Sequence, residues 1–157
     1  MITTTRHHDI STGHRVFGHQ GFCRFVHGHG YRFVFTCTAP DLDKNGMITD
    51  FGVMKSALCE WVEKIWDHKL LLWDQDPLSK ELHDACEQND IFRDAFQVVR
   101  VPFNPTAENM AQWLLENGDD RLPEDVQLIA VTVQETRKCS ATATLDSILG
   151  FDNGEED

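Results

Sequence analysis

The feature that most constrains this chain is a pair of histidines separated by one glycine, His27-Gly28-His29, at the start of a strand-like segment. In an extended strand, side chains at positions i and i+2 point to the same face, so both imidazoles project from one side. Residues 31–36 are rich in aromatic and β-branched side chains, which is typical of a strand. A third imidazole from a neighbouring strand would complete a three-nitrogen site with an open position, the usual arrangement of catalytic zinc. Taken alone, the pair is also compatible with an ordinary strand surface.

A strand that precedes the histidine pair supplies the candidate for that third imidazole. Residues 2–17 are rich in Thr, Ile and Val and predict a first strand, and residues 27–39 predict a second. A loop containing Gly18 and Gly21 separates them. The two strands are expected to form a long antiparallel hairpin, which would bring His14 beside His27 and His29.

Helices and strands are both predicted in the rest of the chain. In order, they are a helix over residues 51–66 capped by Asp50, a helix over 79–88 capped by Ser79, a strand over 95–103, a helix from Thr106 to Asn117-Gly118, and a strand over 126–133. This order indicates an α+β fold with antiparallel strand pairing. A sheet with so few helices leaves a face or an edge to be covered, so we expect the chain to form a homo-oligomer.

Length and charge narrow the class of protein. The 157 residues predict a single domain over 1–149, followed by an acidic and flexible tail over 150–157. The formal net charge of −12 argues against nucleic-acid binding, which requires a basic surface. No apolar run approaches the roughly 18 residues of a membrane span, and the N-terminus lacks an apolar signal core. We therefore expect no membrane partner and a cytoplasmic location.

Five cysteines in a chain without an export signal predict reduced thiols. Cys23 lies four residues before His27, close to the predicted metal position. A cation stabilises a thiolate, so Cys23 is either an acid–base group or a fourth ligand that closes the metal site. The other cysteines are expected to be small buried side chains: Cys37, Cys59, Cys86 and Cys139.

Asp67 and His68 follow the 51–66 helix directly. A carboxylate that orients an imidazole raises its basicity, and such a pair can activate a thiol. Adjacent side chains do not generally face each other, so a relay would require a particular tertiary placement. The alternative is a solvated pair at the end of a helix, where His interacts favourably with the helix dipole.

Two carboxylates are candidates for ligand binding. Glu135 follows an apolar strand on the side of Ile129, Val131 and Val133, where a carboxylate is costly unless something binds it. The 2-amino-oxo edge of a pterin or a guanine would offer it two hydrogen-bond donors, whereas the alternative is a surface residue at a strand end. Glu108 lies in the first turn of the helix capped by Thr106, where a carboxylate also interacts favourably with the helix dipole.

Six segments together resemble one enzyme family. They are Gly13-His14-Arg15, Cys23-x-x-x-His27-Gly28-His29-x-Tyr31, Gly46-Met47-Ile48-x-Asp50-Phe51, Asp67-His68, Pro105-Thr106-Ala107-Glu108-Asn109 and Glu135-Thr136. In this order and over residues 10–140, they resemble the 6-pyruvoyltetrahydropterin synthase superfamily. The most similar branch is that of the bacterial 6-carboxytetrahydropterin synthases of queuosine and deazapurine biosynthesis.

The resemblance implies a T-fold, in which an antiparallel sheet with helices packed on one face assembles into a multimeric barrel, typically a hexamer with active sites between subunits. It also implies a role for each matching residue. His14, His27 and His29 match the zinc ligands; Cys23, Asp67 and His68 match the proton-transfer residues; Glu135 matches the pterin anchor, and Thr106 and Glu108 match a segment near the pterin pocket.

The activity that the resemblance implies is that of a zinc-dependent lyase. It would convert dihydroneopterin triphosphate to 6-carboxytetrahydropterin with loss of acetaldehyde and triphosphate. The alternatives are triphosphate elimination of the 6-pyruvoyltetrahydropterin synthase type, and a non-catalytic zinc- or pterin-binding protein of the same fold.

Overall fold

Six strands form one mixed sheet in the computed structural model, which describes residues 1–146. The strands are β1 (Thr4–His14), β2 (His27–Thr38), β3 (Leu70–Trp73), β4 (Val98–Val101), β5 (Gln127–Gln134) and β6 (Ser140–Thr144). Their order across the sheet is β4-β3-β1-β2-β5-β6. The expected tail over residues 150–157, and the end of the expected domain at 149, lie outside the described residues.

The predicted hairpin is confirmed. β1 and β2 pair antiparallel along the whole of β1, from Thr4 opposite Cys37 to His14 opposite His27. Burial alternates along both strands, so one face of the hairpin carries the large apolar side chains and the other carries small or polar ones. Because the strand period is two, this burial pattern fixes the register of the hairpin.

The helix at 51–66 and the helix after Thr106 pack on one face of the sheet, as the family resemblance implied. The helix α1 (Phe51–Met54) runs without a break through a π-helical turn (Lys55–Cys59) into α2 (Glu60–Trp66). The remaining helices are α3 (Pro77–Gln88), α4 (Asp90–Ala95) and α5 (Ala107–Gly118). The sheet face that the 51–66 helix and α5 cover is called here the helix face, and the core lies between it and these helices. β2 contributes Phe33 and Phe35 to the core, and the helices contribute Trp66 and Leu114. The opposite face, called here the open face, carries Ser11, Gly30 and Arg32.

The expectation of purely antiparallel pairing is wrong for two strands. β3 pairs parallel to both β1 and β4, and β3 was not predicted at all. Its sequence, Leu-Leu-Leu-Trp, has no alternation and only four residues. Such a short apolar run has no periodicity that distinguishes a strand from a helix. The class remains α+β.

The boundaries of α3 and β4 also differ from the prediction. α3 begins at Pro77 and is capped by Asp76, whose side chain accepts a hydrogen bond from the backbone N–H of Leu78. Ser79 is instead a buried residue of the first turn that accepts a hydrogen bond from Arg100. The cap comes earlier because proline favours the first helical position. Asp50 and Thr106 cap the helices that they were predicted to cap.

Among the described residues, no helix is both long and apolar enough to cross a membrane. All five cysteines are free. Cys37 and Cys59 are buried as expected, but Cys86 is half-buried and Cys139 is exposed, so the prediction of buried side chains is wrong for these two. Both lie outside the strands and the 51–66 helix that build the core.

Candidate active site

The hairpin register brings three imidazoles together at the end of the sheet. His14 is paired with His27, and His29 lies two residues further along β2 on the same face. One ligand nitrogen from each of the three histidines lies within 4.8 Å of the other two. His14 is buried, and His27 and His29 are half-buried. This group has the size and the donor types of a metal site.

In His14 and His27, one ring nitrogen is hydrogen-bonded to a backbone carbonyl, and this leaves the other ring nitrogen available to a metal ion. Nδ1 of His14 donates to the carbonyl of Pro105 at 2.6 Å, and Nδ1 of His27 donates to that of Phe25 at 2.7 Å. In the neutral rings both Nε2 atoms therefore carry lone pairs, and these atoms lie 3.2 Å apart. Two facing lone pairs repel unless a cation lies between them.

His29 completes this set of free nitrogens. Its Nε2 is buried and has no hydrogen-bond partner among the described residues. Burial lowers the pKa of both His14 and His29, although the charge of Glu135 opposes this effect. Zinc is commonly bound by neutral imidazoles whose other ring nitrogen donates a hydrogen bond to a carbonyl, as in His14 and His27. The residues present therefore fit a divalent metal ion.

Cys23 lies in a short 3₁₀ helix, Phe22–Arg24, between the two strands of the hairpin. The carbonyl of Cys23 accepts a hydrogen bond from the backbone N–H of Val16 at 2.8 Å, which ties this turn to the end of β1. Its half-buried side chain lines a cavity of about 350 Å³, called here the Cys23 cavity. Within residues 1–146, the group of potential ligands contains the three histidines but not this thiol. The geometry therefore favours an open metal site over one closed by Cys23.

Glu135 lies between the three histidines and the Cys23 cavity. One carboxylate oxygen, Oε1, is 3.3 Å from Nε2 of His29, and the residue also lines the cavity. A register shift between β2 and β5 makes Ile129 an extra residue, so Leu128 and Val131 are both buried. Glu135 therefore shares a face with Val131 and Val133, as predicted, but not with Ile129.

Thr106 and Glu108 line the same cavity at the start of α5. The hydroxyl of Thr106 accepts a hydrogen bond from the backbone N–H of Asn109 at 3.2 Å. Its side chain is thus used for capping the helix. The exposed carboxylate of Glu108 lies at the cavity wall and makes no hydrogen bond with another described residue.

Asp67 and His68 do face each other, because His68 has a left-handed backbone conformation with φ of 55°. Nδ1 of His68 donates to Oδ2 of Asp67 at 2.8 Å, and Oδ1 of Asp67 accepts the backbone N–H of Ser11 at 3.0 Å. Partial burial raises the pKa of Asp67, but these two hydrogen bonds outweigh it and leave that pKa below its ordinary value. The carboxylate is therefore ionised and orients the imidazole.

This pair is not in the Cys23 cavity of the same chain. Asp67 and His68 line a second cavity of about 560 Å³ on the open face, called here the His68 cavity. Its other walls include Ser11, Gly30 and Arg32, which alternate along β1 and β2 with the residues of the helix face. One chain thus brings the histidines, Cys23, Thr106, Glu108 and Glu135 together, and holds Asp67 and His68 on the other side of the sheet.

Sequence reasoning assigned no role to two residues of the site, although Tyr31 is part of one of the six segments. The hydroxyl of Tyr31 lies 3.0 Å from Nε2 of His14, and His19 lines the Cys23 cavity. Burial, followed by the charge of Glu135, raises the pKa of Tyr31, so its hydroxyl keeps its proton. The period of two along β2 places Tyr31 on the same face as His29 and would have identified it. His19 lies in a loop, where no such pattern exists.

Comparisons with known proteins give the same result as the motifs. The sequence profile of the family described as 6-pyruvoyl tetrahydropterin synthase matches residues 3–146. This chain belongs to that family. It is therefore an enzyme of the pterin synthase type, as the six sequence segments predicted.

Two curated relatives show how similar this chain is to known members of the family. The 6-carboxy-5,6,7,8-tetrahydropterin synthase of Rickettsia typhi is 33% identical over 142 residues, which cover 88% of this chain and 97% of the relative. A probable 6-carboxy-5,6,7,8-tetrahydropterin synthase of Halobacterium salinarum is 36% identical over 132 residues, with 84% and 79% covered.

Solved structures show that this member of the family has the T-fold. An uncharacterized protein from Wolinella succinogenes superimposes with a TM-score of 0.81 at 24% identity, over 92% of this chain and 98% of the other. The 6-pyruvoyl tetrahydropterin synthase of Caenorhabditis elegans superimposes with a TM-score of 0.63 at 20% identity, over 91% and 94%. At these identities the likeness establishes the fold alone.

Proposed function

We propose that this enzyme is a zinc-dependent 6-carboxytetrahydropterin synthase that acts on dihydroneopterin triphosphate. With one water molecule as co-substrate, the products would be 6-carboxytetrahydropterin, acetaldehyde and triphosphate, and the first would serve as a precursor of 7-deazaguanine nucleosides such as queuosine. The observation that carries this proposal is the group of three free imidazole nitrogens, which lies beside Glu135 at the wall of a cavity that also contains Cys23. The names of the curated relatives support the choice of reaction.

His14, His27 and His29 would hold the zinc ion through Nε2. When bound, zinc supplies Lewis acidity that lowers the pKa of the side-chain hydroxyls of the substrate. The hydrogen bonds that Nδ1 of His14 and Nδ1 of His27 donate to the carbonyls of Pro105 and Phe25 keep both rings in the tautomer that such binding needs.

The residues of the Cys23 cavity have separate tasks in this proposal. Cys23 would accept a proton from the side chain of the substrate as a thiolate. Glu135 would hold the pterin ring by a charge-assisted, two-point hydrogen bond to its 2-amino-oxo edge. Thr106 would position the start of α5, where Glu108 would form part of the pocket wall.

Asp67 and His68 would handle the complementary proton transfer from a second copy of the chain. They line the His68 cavity, and neither this cavity nor the one that His68 lines together with His27 and His29 includes Cys23, so we infer that one substrate molecule does not reach both groups within one subunit. A homo-oligomer in which the His68 cavity of one subunit adjoins the Cys23 cavity of another solves this problem. We infer an assembly of this kind, a hexamer by resemblance to the family.

Product analysis tests the proposed reaction. The purified protein, loaded with zinc, is incubated with dihydroneopterin triphosphate, and the products are identified by mass spectrometry. We expect 6-carboxytetrahydropterin and acetaldehyde. Accumulation of 6-pyruvoyltetrahydropterin would replace the proposal with the other reaction of the family, and an unchanged substrate would leave only a binding function.

A pair of cysteine variants tests the role of Cys23. Cys23→Ala should abolish turnover and retain zinc, because the thiol is outside the group of metal ligands. Cys139→Ala is the matched control, since its thiol lines the same cavity and has no proposed role. Turnover by Cys23→Ala, or loss of zinc from it, would contradict the assignment. His27→Ala should lose zinc, and an unchanged zinc content would contradict the three-histidine site.

A further inference from the structure

Tyr31 connects the group of histidines to the carboxylate at the cavity. It follows His29 by two positions on β2, so its ring lies on the same face, and it is completely buried. Its hydroxyl oxygen is 3.0 Å from Nε2 of His14 and 3.4 Å from Oε2 of Glu135. A single phenol therefore touches an imidazole of the metal site and the candidate pterin anchor.

The phenol does not take the lone pair that a metal would need. Its oxygen is 3.0 Å from Nε2 of His14 and also 3.3 Å from Nδ1 of the same ring. An atom in line with the Nε2 lone pair would lie much farther from Nδ1, because the two nitrogens point away from each other across the ring. The oxygen thus lies over the imidazole, whose plane is 83° from that of the phenol ring. Nε2 of His14 remains available to a metal ion.

Glu135 is the acceptor for the phenol proton. Nδ1 of His14 is already engaged as a donor to Pro105, and the hydroxyl of Tyr31 donates to Oε2 of Glu135. An ionised carboxylate has about four lone-pair positions, so this bond leaves room for two donors from a ligand. The bond also limits the rotamers of a side chain that otherwise borders an open cavity.

We propose that Tyr31 is a positioning residue for the pterin ring, because its hydroxyl holds the Glu135 carboxylate in the orientation that receives the 2-amino-oxo edge. The inference rests on the proposed function, in which Glu135 binds the pterin. Without the hydroxyl, the carboxylate is free to rotate away from the cavity. Pterin binding then weakens, whereas the metal stays in place.

The test compares Tyr31→Phe with the unchanged protein, both loaded with zinc and with zinc content measured by mass spectrometry. The probe is neopterin, which carries the pterin ring without the triphosphate and is not turned over. Removal of a hydrogen bond to a charged group is expected to weaken neopterin binding about tenfold, with zinc content unchanged. With dihydroneopterin triphosphate, KM should rise by a similar factor and kcat should change less.

Phe33→Leu is the matched control for packing. Phe33 is the next residue of the same face, and its ring lies 6.1 Å from that of Tyr31, but the described contacts of its side chain include neither Glu135 nor a histidine. This variant should lower the melting temperature and leave neopterin affinity unchanged. If Tyr31→Phe behaves in the same way, Tyr31 is a packing residue and the inference is wrong.

Because Tyr31 is the only tyrosine of the chain, its phenol can be observed directly. Protein labelled with ¹³C at tyrosine Cζ should give one signal that shifts when neopterin binds, and Glu135→Gln should remove most of this shift. A signal that neopterin does not move would overturn the inference, as would loss of zinc from Tyr31→Phe. Failure of the unchanged protein to bind neopterin would instead refute the proposed function.

Discussion

Replacement of Asp76 by alanine should be among the most damaging single changes outside the proposed site. Asp76 is 1% exposed and accepts hydrogen bonds from Nε and Nη2 of Arg15, at 2.5 and 2.7 Å. The same carboxylate caps α3 through the backbone N–H of Leu78, at 2.9 Å. Arg15 directly follows His14, so this ion pair attaches the end of the strand that carries His14 to the start of a helix.

The expected magnitude follows from these contacts. Removal of one partner of a buried ion pair costs about 3–5 kcal/mol, and loss of an N-cap costs about 1 kcal/mol. The side chain of Arg15 is 23% exposed, so water partly compensates it and the lower end of the range applies. We expect Asp76→Ala to reduce the free energy of unfolding by about 4 kcal/mol in total. For a domain of this size, this corresponds to a fall of roughly 8–16 °C in the melting temperature.

Urea and thermal unfolding at one fixed protein concentration provide the measurement, since unfolding of an oligomer depends on concentration. Asp76→Asn retains the cap and the size of the side chain, so it should cost about 1 kcal/mol less than Asp76→Ala. Asp84→Ala is the control, because its ion pair with Lys80 lies on the exposed surface of α3, where water and salt screen it, so this variant should leave the stability almost unchanged. A loss below about 1 kcal/mol for Asp76→Ala would refute the reasoning, and equal losses for the two Asp76 variants would refute the cap.

Three other predictions concern packing, thiols and the metal. Gly118→Ala should cost about 1–2 kcal/mol in urea unfolding, because the new Cβ would lie 2.7 Å from a methyl group of Leu128; a stabilised variant would show that α5 shifts freely. Burial raises the pKa of the Cys37 thiol to about 12, so in the native protein a thiol reagent should label exposed Cys139 and leave Cys37 unmodified, as peptide mass mapping would show. Native labelling of Cys37 would contradict its burial. Burial also lowers the pKa of His14, so its nitrogen stays unprotonated to a more acidic pH than that of a free imidazole. Bound metal, measured after dialysis, should therefore persist at pH 6. Release of the metal above pH 7 would contradict this prediction.

Elements with a long periodic pattern were predictable. The two strands of the hairpin and the helices at 51–66 and after Thr106 have repeated apolar positions and polar caps, and the structure contains all of them. β3 was missed because four buried residues have no period. The extra residue at Ile129 was missed because a bulge depends on the partner strand and not on the strand itself.

Most of the candidate site was accessible in the same way. The spacing of His27 and His29 determines that both rings share a face in any strand. The resemblance of the six sequence segments to one family then pointed to His14, Cys23 and Glu135. The hydroxyl of Tyr31 was not identified, because its partners are distant in sequence. The contact between Asp67 and His68 depends on a left-handed backbone at His68, a conformation that is uncommon for residues other than glycine and that no sequence pattern here predicted.

The sequence by itself determined which side chains are available and which of them share a face, because strand and helix periods are local properties of the backbone. The sequence predicted a hairpin that brings His14 beside His27 and His29, but the tertiary structure set the register that places His14 directly opposite His27, because register depends on burying one complete face against the helices. It also separated Asp67 and His68 from Cys23 by the thickness of the sheet. Contacts between distant segments arise from packing, and local periodicity contains no information about them.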